Sequence, residues 1–211
     1  MAPTLLLLTV ALAVIYWFPV RRWIGRWGTT AADRARVMAG DAVITEPTYW
    51  TTLAVTVNAP PADIWPWLVQ MGYQRGGLYS YDWLDRLFGY LDRPSATRIL
   101  PEFQRLAVGD EIPMGHGAGF PVTAIEPGRS LVLSGAGDDF QWVWQFGLYP
   151  VDDGRTRLVS RNSVRTPMTV GSWVFMRVIE PAAFLMTRRM LLGLKTRAEA
   201  LAATRQPARA A

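Results

Sequence analysis

Residues 140–149, FQWVWQFGLY, place a bulky apolar side chain at every second position: Phe140, Trp142, Trp144, Phe146 and Leu148. Strict alternation of this kind is the mark of a strand with one buried face. Asp152, Asp153 and Gly154 then supply a hairpin turn. Arg155 to Arg165, RTRLVSRNSVR, answers as an antiparallel partner. Thr156, Leu158, Ser160, Asn162 and Val164 line one face of it, and arginines, Arg161 among them, point to the other side and to solvent. From Val170 to about Thr204 the spacing becomes helical, with Pro181 dividing the stretch and opening its second segment. Phe184, Leu185, Met190, Leu191, Leu194 and Leu201 form an apolar stripe there, while Arg188, Arg189, Lys195, Arg197 and Arg205 face outward. A wide aromatic sheet face and a long amphipathic helix each need a partner to bury against.

The elements upstream are shorter. Thr51 to Asn58 alternates Leu53, Val55 and Val57 with Thr52, Thr56 and Asn58, a strand with one buried face. Pro60 and Pro61 end it and open a helix that carries Trp65, Leu68 and Val69 on one side. Pro66 shortens or kinks that helix, and Gly72, Gly76 and Gly77 break it. A turn or helix restarts at Ser80 or Tyr81. Three short strands follow, Glu111 to Met114, Phe120 to Ile125 and Ser130 to Ser134, punctuated by Gly and Pro.

Composition narrows the chemistry. There is no cysteine, which excludes disulfides, thiolate catalysis and Cys-based metal sites. His116 is the sole histidine, in a glycine-rich MGHGAGF loop that lacks the dinucleotide fingerprint. No metal and no cofactor is expected. The net charge of +5 lies at the two ends, in Arg21, Arg22 and Arg26 and in the segment after Val170. A nucleic-acid binder would carry a basic stripe across the folded body, so none is expected as a partner.

Residues 3–20, PTLLLLTVALAVIYWFPV, carry no charge and are followed by arginines and by Trp23 and Trp27. This reads as an uncleaved single-pass transmembrane helix at the cell membrane, with the domain on the cytoplasmic side. The implied organisation is an anchor with its basic flank over 1–27, a connector over 28–50, a folded domain over 51–205 and a disordered tail over 206–211.

Strand, two short helices, an antiparallel meander and a long last helix is the order of the helix-grip fold. The blocks APPADIWPWLVQMGYQRGGLYSYDWLDRL, RILPEFQRLAVGDEIPM, SRNSVR and EPAAFLMTRRMLLGLKTRAE resemble the SRPBCC (START-like) superfamily, in particular its bacterial members. The resemblance implies an α+β fold in which a curved antiparallel sheet wraps around the long C-terminal helix. It also implies a cavity for a hydrophobic or amphipathic small molecule, lipid or polyketide-like. Two other functions stay open: a polyketide cyclase/dehydrase-like enzyme using the same cavity, or a membrane-tethered protein-interaction module that binds no small molecule.

No residue set supports a catalytic assignment. Asp82 and Asp85 share a helix face, but one is expected to cap the helix and the other to meet Arg75 or Arg86. For an enzyme, Asp82, Tyr79 and His116 are the candidates. The residues expected to line a ligand cavity are Trp65, Tyr73, Tyr79, Tyr81, Phe120, Trp142, Trp144, Asn162, Met186 and Met190. Tyrosines suit a cavity mouth because an apolar ring ends in a polar tip. The pair Gly76-Gly77 could form a plain tight turn or a gate.

Overall fold

The computed structural model describes residues 4, 5, 8, 16–117, 119–137, 139–152 and 154–205. Six strands form one antiparallel sheet: β1 (Tyr49–Val57), β2 (Glu111–Ile112), β3 (Phe120–Glu126), β4 (Ser130–Ala136), β5 (Gln141–Asp152) and β6 (Arg155–Arg165). Their spatial order is β1-β6-β5-β4-β3-β2, so every neighbour except the β1–β6 pair is also a neighbour in sequence. The β5–β6 register pairs Trp142 with Val164, Trp144 with Asn162 and Phe146 with Ser160. The alternation in the sequence is thus the alternation of the sheet, and the aromatic side becomes its inner, concave face. Trp144, Phe146, Leu148, Leu53 and Val57 join one core with residues of the last helix.

Helices α1 (Arg21–Ile24) and α2 (Ala31–Ala35) precede the sheet. Helices α3 (Pro61–Val69) and α4 (Asp82–Leu87) fill the long β1–β2 connection, and α5 (Val170–Arg205) closes the fold. Helix α5 runs unbroken through Pro181, at a rise of about 1.5 Å per residue. The division expected at Pro181 does not occur. Side-chain contacts on both sides of the proline hold the axis: Glu180 meets Arg21 and Arg177, and Phe184 is buried in the core. Phe184, Met190, Leu191 and Leu194 face the sheet as expected. Leu185, read into the same stripe, is instead exposed.

The arginines and lysine assigned to the outer side of α5 are engaged. Lys195 donates to the Thr56 carbonyl at 2.7 Å, and Arg197 to the Ala96 carbonyl at 2.8 Å. Arg205 pairs with Asp63, and the Arg188 guanidinium lies 4.8 Å from the Trp27 ring. Long cationic stems reach from a helix flank to the elements that edge it. Between these contacts Gly193 lets the helix touch the chain at Tyr79. A Cβ at Gly193 would stand 2.2 Å from the Tyr79 carbonyl oxygen.

The single-pass membrane assignment is corrected. Residues 3, 6, 7 and 9–15 of that segment lie outside the described residues, as does the tail 206–211. Among the described residues no helix is long and apolar enough to cross a membrane. The described end of the segment folds onto the domain. Tyr16–Val20 forms a π-helical turn around Pro19, with Tyr16 and Val20 packed on the core. The Trp17 ring lies 5.6 Å from Trp173, and Trp23 stands edge-on to Phe184 at 5.2 Å. These tryptophans therefore cover α5.

Residues 28–48 lie across the outer face of the sheet, and the last two residues of the expected connector, Tyr49 and Trp50, open β1. Thr30 caps α2 in a capping box with Asp33, and Asp33 also receives Arg157 of β6 at 2.7 Å. Gly40 sits where a Cβ would come within 2.8 and 2.9 Å of Val132 and Val143, so the segment lies flat on the strands. Its N–H donates to Gln145 Oε1 at 2.8 Å, and Gln145 Nε2 donates to Asp41 at 2.7 Å. Arg161, expected in solvent, is only 7% exposed. It does point away from the concave face, but this segment covers it. Its guanidinium meets Asp41, Thr52 and the carbonyls of Asp33, Arg34 and Arg36.

Candidate functional site

A cavity of about 370 Å³ lies between the inner face of the sheet and the first half of α5. Trp142, Trp144 and Phe120 make its sheet wall, with Leu53 and Val164 beside them. The Phe120 ring stands edge-on to Trp142 at 4.6 Å and to Trp144 at 6.3 Å. Trp142 Nε1 donates to Asn162 Oδ1 at 2.8 Å, and Trp144 Nε1 to Ser160 Oγ at 3.1 Å. With both indole N–H groups satisfied inside the sheet, the rings offer the cavity apolar surface. Helix α5 contributes Ile179, Ala183, Phe184, Met186 and Met190 to the opposite wall. Flexible methionines adapt to varied apolar shapes.

A third wall comes from the segment around α4: Leu78, Ser80, Asp85, Phe88 and Tyr90. Exposure falls from rim to interior. Trp50, Phe88, Phe140 and Phe175 are exposed, whereas Leu53, Leu78, Asp85 and Met190 are buried. The cavity is therefore open at one side and closed at its base.

Polar groups are few. Arg21 and Glu180 pair with each other at 2.9 Å along the wall. The Tyr49 hydroxyl is buried and finds no hydrogen-bond partner among the described residues. Asp85 is 0% exposed. Its Oδ1 accepts from Ser80 Oγ at 3.1 Å, and its Oδ2 has no partner. Burial raises the Asp85 pKa to about 6; the Ser80 hydrogen bond opposes this and the Asp82 charge adds to it. Sequence reasoning gave one of Asp82 and Asp85 to an arginine. In the structure Arg75 turns to the Met71 and Val69 carbonyls instead, and no ion pair reaches Asp85 among the described residues.

The residues expected around a ligand divide into two groups. Phe120, Trp142, Trp144, Asn162, Met186 and Met190 all line the cavity. Trp65, Tyr73, Tyr79 and Tyr81 lie elsewhere. Trp65 packs on the core from outside. Tyr73 OH is 3.0 Å from His116 Nε2, and the Tyr81 ring faces Arg189. Tyr79 is a core residue whose hydroxyl accepts from Gln70 at 3.0 Å; burial drives its pKa well above the usual phenol range. Gly72 and Gly77 close the turn between them by two mutual hydrogen bonds of 3.1 and 3.0 Å. The glycine pair builds a tight turn.

None of the three enzyme candidates reaches the cavity. Asp82 accepts from Ser95 Oγ at 2.7 Å and from Ser95 N at 3.1 Å, Tyr79 is in the core, and His116 is exposed in its loop. The lining residues missed in the sequence, Tyr49, Phe88, Tyr90, Asp85 and Phe184, come from segments whose positions depend on long-range packing.

No protein family's sequence profile and no curated protein matches the chain. Solved structures do resemble it. The protein jhp0584 of Helicobacter pylori superposes with a TM-score of 0.50 at 13% identity, over 81% of this chain and 99% of that one. CV1439 from Chromobacterium violaceum gives 0.43 at 14% identity, over 71% and 96%. CalU16 from Micromonospora echinospora gives 0.35 at 17% identity, over 73% and 86%. At such identities the likeness concerns the fold.

Proposed function

We propose that this protein is a helix-grip binder of the SRPBCC type, which takes a hydrophobic or amphipathic small molecule between its sheet and α5. The observation that carries this reading is the cavity itself. Its volume of about 370 Å³ falls in the range of roughly 300–1,000 Å³ common for small-molecule sites. Its walls are rings, methionines and aliphatic groups, with few polar atoms. Binding would be driven by removal of ligand surface from water, at about 25 cal/mol per Å². The adaptable wall of Met186 and Met190 suits a ligand of irregular outline.

The test uses the full chain, purified under mild conditions. Native mass spectrometry and solvent extraction should find an apolar compound bound in stoichiometric amount, or the protein should take up decanol in a calorimetric titration. A protein that yields no extract and shows no heat with decanol would rule the reading out.

A further inference from the structure

Taking the cavity as a ligand site, we propose that Asp85 receives a protonated amine, so that the ligand is a cationic amphiphile: an apolar body bearing one amino group. Asp85 borders the cavity, and its Oδ2 is buried with no hydrogen-bond partner among the described residues. A buried carboxylate of this kind is expensive unless a donor meets it. On its own helix Asp82 is occupied by Ser95, and Arg86, the next residue, is exposed and forms no ion pair with Asp85. The other charged or titratable groups that line the cavity are Arg21, Glu180, Tyr49 and Tyr90. Arg21 and Arg177 both pair with Glu180. Arg189 and Arg197 of α5 lie over Tyr81 and Tyr79 and do not line the cavity. Of the two carboxylates on the cavity lining, Asp85 is the one without an ion-pair partner among the described residues.

Charge alone would admit any cation; the surroundings select an organic one. Phe88 and Tyr90, three and five positions after Asp85, line the same cavity. The Phe120 and Trp142 rings stand across the space. Ring faces attract an ammonium group electrostatically, most strongly where water is excluded. Tyr49, whose buried hydroxyl has no partner among the described residues, also lines the cavity. A carboxylate among aromatic rings, closed off from solvent, fits an alkylammonium better than a strongly hydrated inorganic ion. A carboxylate-headed ligand would meet Asp85 as a like charge.

Three ten-carbon probes separate the alternatives: decylamine, decanol and decanoate, titrated calorimetrically into the full chain. At about pH 7.5 decylamine should bind at least about tenfold tighter than decanol, the scale of one charge-assisted hydrogen bond. Decanoate should bind weakest. In Asp85→Asn the preference for decylamine over decanol should fall to about threefold or less. A second measurement needs no variant. Near pH 4.5, where Asp85 is protonated and decylamine is still charged, the wild-type preference should also disappear. If decylamine and decanol bind equally at pH 7.5, if decanoate binds best, or if the preference survives in the variant or at low pH, the assignment to Asp85 is overturned and the cavity reading stands. If no probe binds at any pH, both are overturned.

Discussion

Replacing Asp85 with asparagine should make the protein more stable at neutral pH and less stable in acid. In the unfolded chain this carboxyl titrates near 3.8; in the folded protein burial moves it to about 6. Between those values the native state binds more protons than the unfolded one, so this group lowers stability as pH rises. The two values lie about two pH units apart, and at about 1.36 kcal/mol per unit the loss reaches ~3 kcal/mol by neutrality. Asparagine has no such titration. Its carbonyl oxygen can keep the Ser80 hydrogen bond, but its amide adds a buried donor without a partner, which costs about 1 kcal/mol. The net expectation is a gain of about 2 kcal/mol near pH 8 and a loss of about 1 kcal/mol near pH 4.

Urea denaturation of both proteins, at several pH values between those limits, reads this directly. Other titrating groups contribute equally to the two curves and cancel in the difference. The reasoning is refuted if the two stability curves run parallel, because a pH-independent difference means that Asp85 does not titrate in the window its burial dictates. A gain in stability together with the loss of amine binding would be a stability–function trade-off at a single side chain.

Three further substitutions test the frame around the cavity. Gly193→Ala should lower stability by about 1–3 kcal/mol in thermal denaturation, since its Cβ would collide with the Tyr79 carbonyl; at an ordinary mid-helix glycine the same change is favourable by about 1 kcal/mol. Arg161→Met should cost about 1–3 kcal/mol, because it takes the guanidinium away from Asp41 and from three carbonyls under the N-terminal segment, and limited proteolysis should cut faster within residues 28–48. Ala183→Phe fills the cavity from the helix side, so it should abolish decanol uptake in calorimetry without lowering the melting temperature.

What the sequence revealed depended on how local the signal was. The β5–β6 hairpin was legible because its alternation, its Asp-Gly turn and its register are all set within a few residues. The cavity residues on those strands were legible for the same reason, since facing follows from parity. Arg161 shows the limit. Parity places it on the outer face, but whether that face meets water depends on residues 28–48, which lie more than a hundred positions away. Proline gave a similar misreading at Pro181: the lost hydrogen bond is local, whereas the contacts of Glu180 and Phe184 that keep α5 continuous come from the N-terminal segment and the sheet. Asp85 did carry a readable signal. Its helical neighbours three and four positions away are Asp82, Tyr81, Phe88 and Gly89, none of them basic, so no arginine on its own helix could have paired with it.

The two faces of the sheet set two aspartates against each other, and this fixes the acid side of the stability profile. Asp33, under the outer face, is almost wholly buried. Burial alone would raise its pKa, but the hydrogen bonds from Arg157 and Thr30 outweigh that and hold it below the ordinary carboxylate value. Its contribution is present above that ordinary value and is lost as pH falls through the depressed one. Asp85 has the opposite sign: its penalty is absent below about 3.8 and complete above about 6. Going down in pH from neutrality, the protein first gains as Asp85 takes its proton and then loses as Asp33 takes its own. From these two groups stability should be greatest near pH 4–5, on the acid side of neutrality. In Asp85→Asn the acid gain disappears and the maximum should move upward. Circular-dichroism melts across this range locate both maxima. Wild-type protein most stable at pH 7 or above, or a variant whose optimum stays in acid, would mean that the inner carboxyl is not the group that shapes the curve.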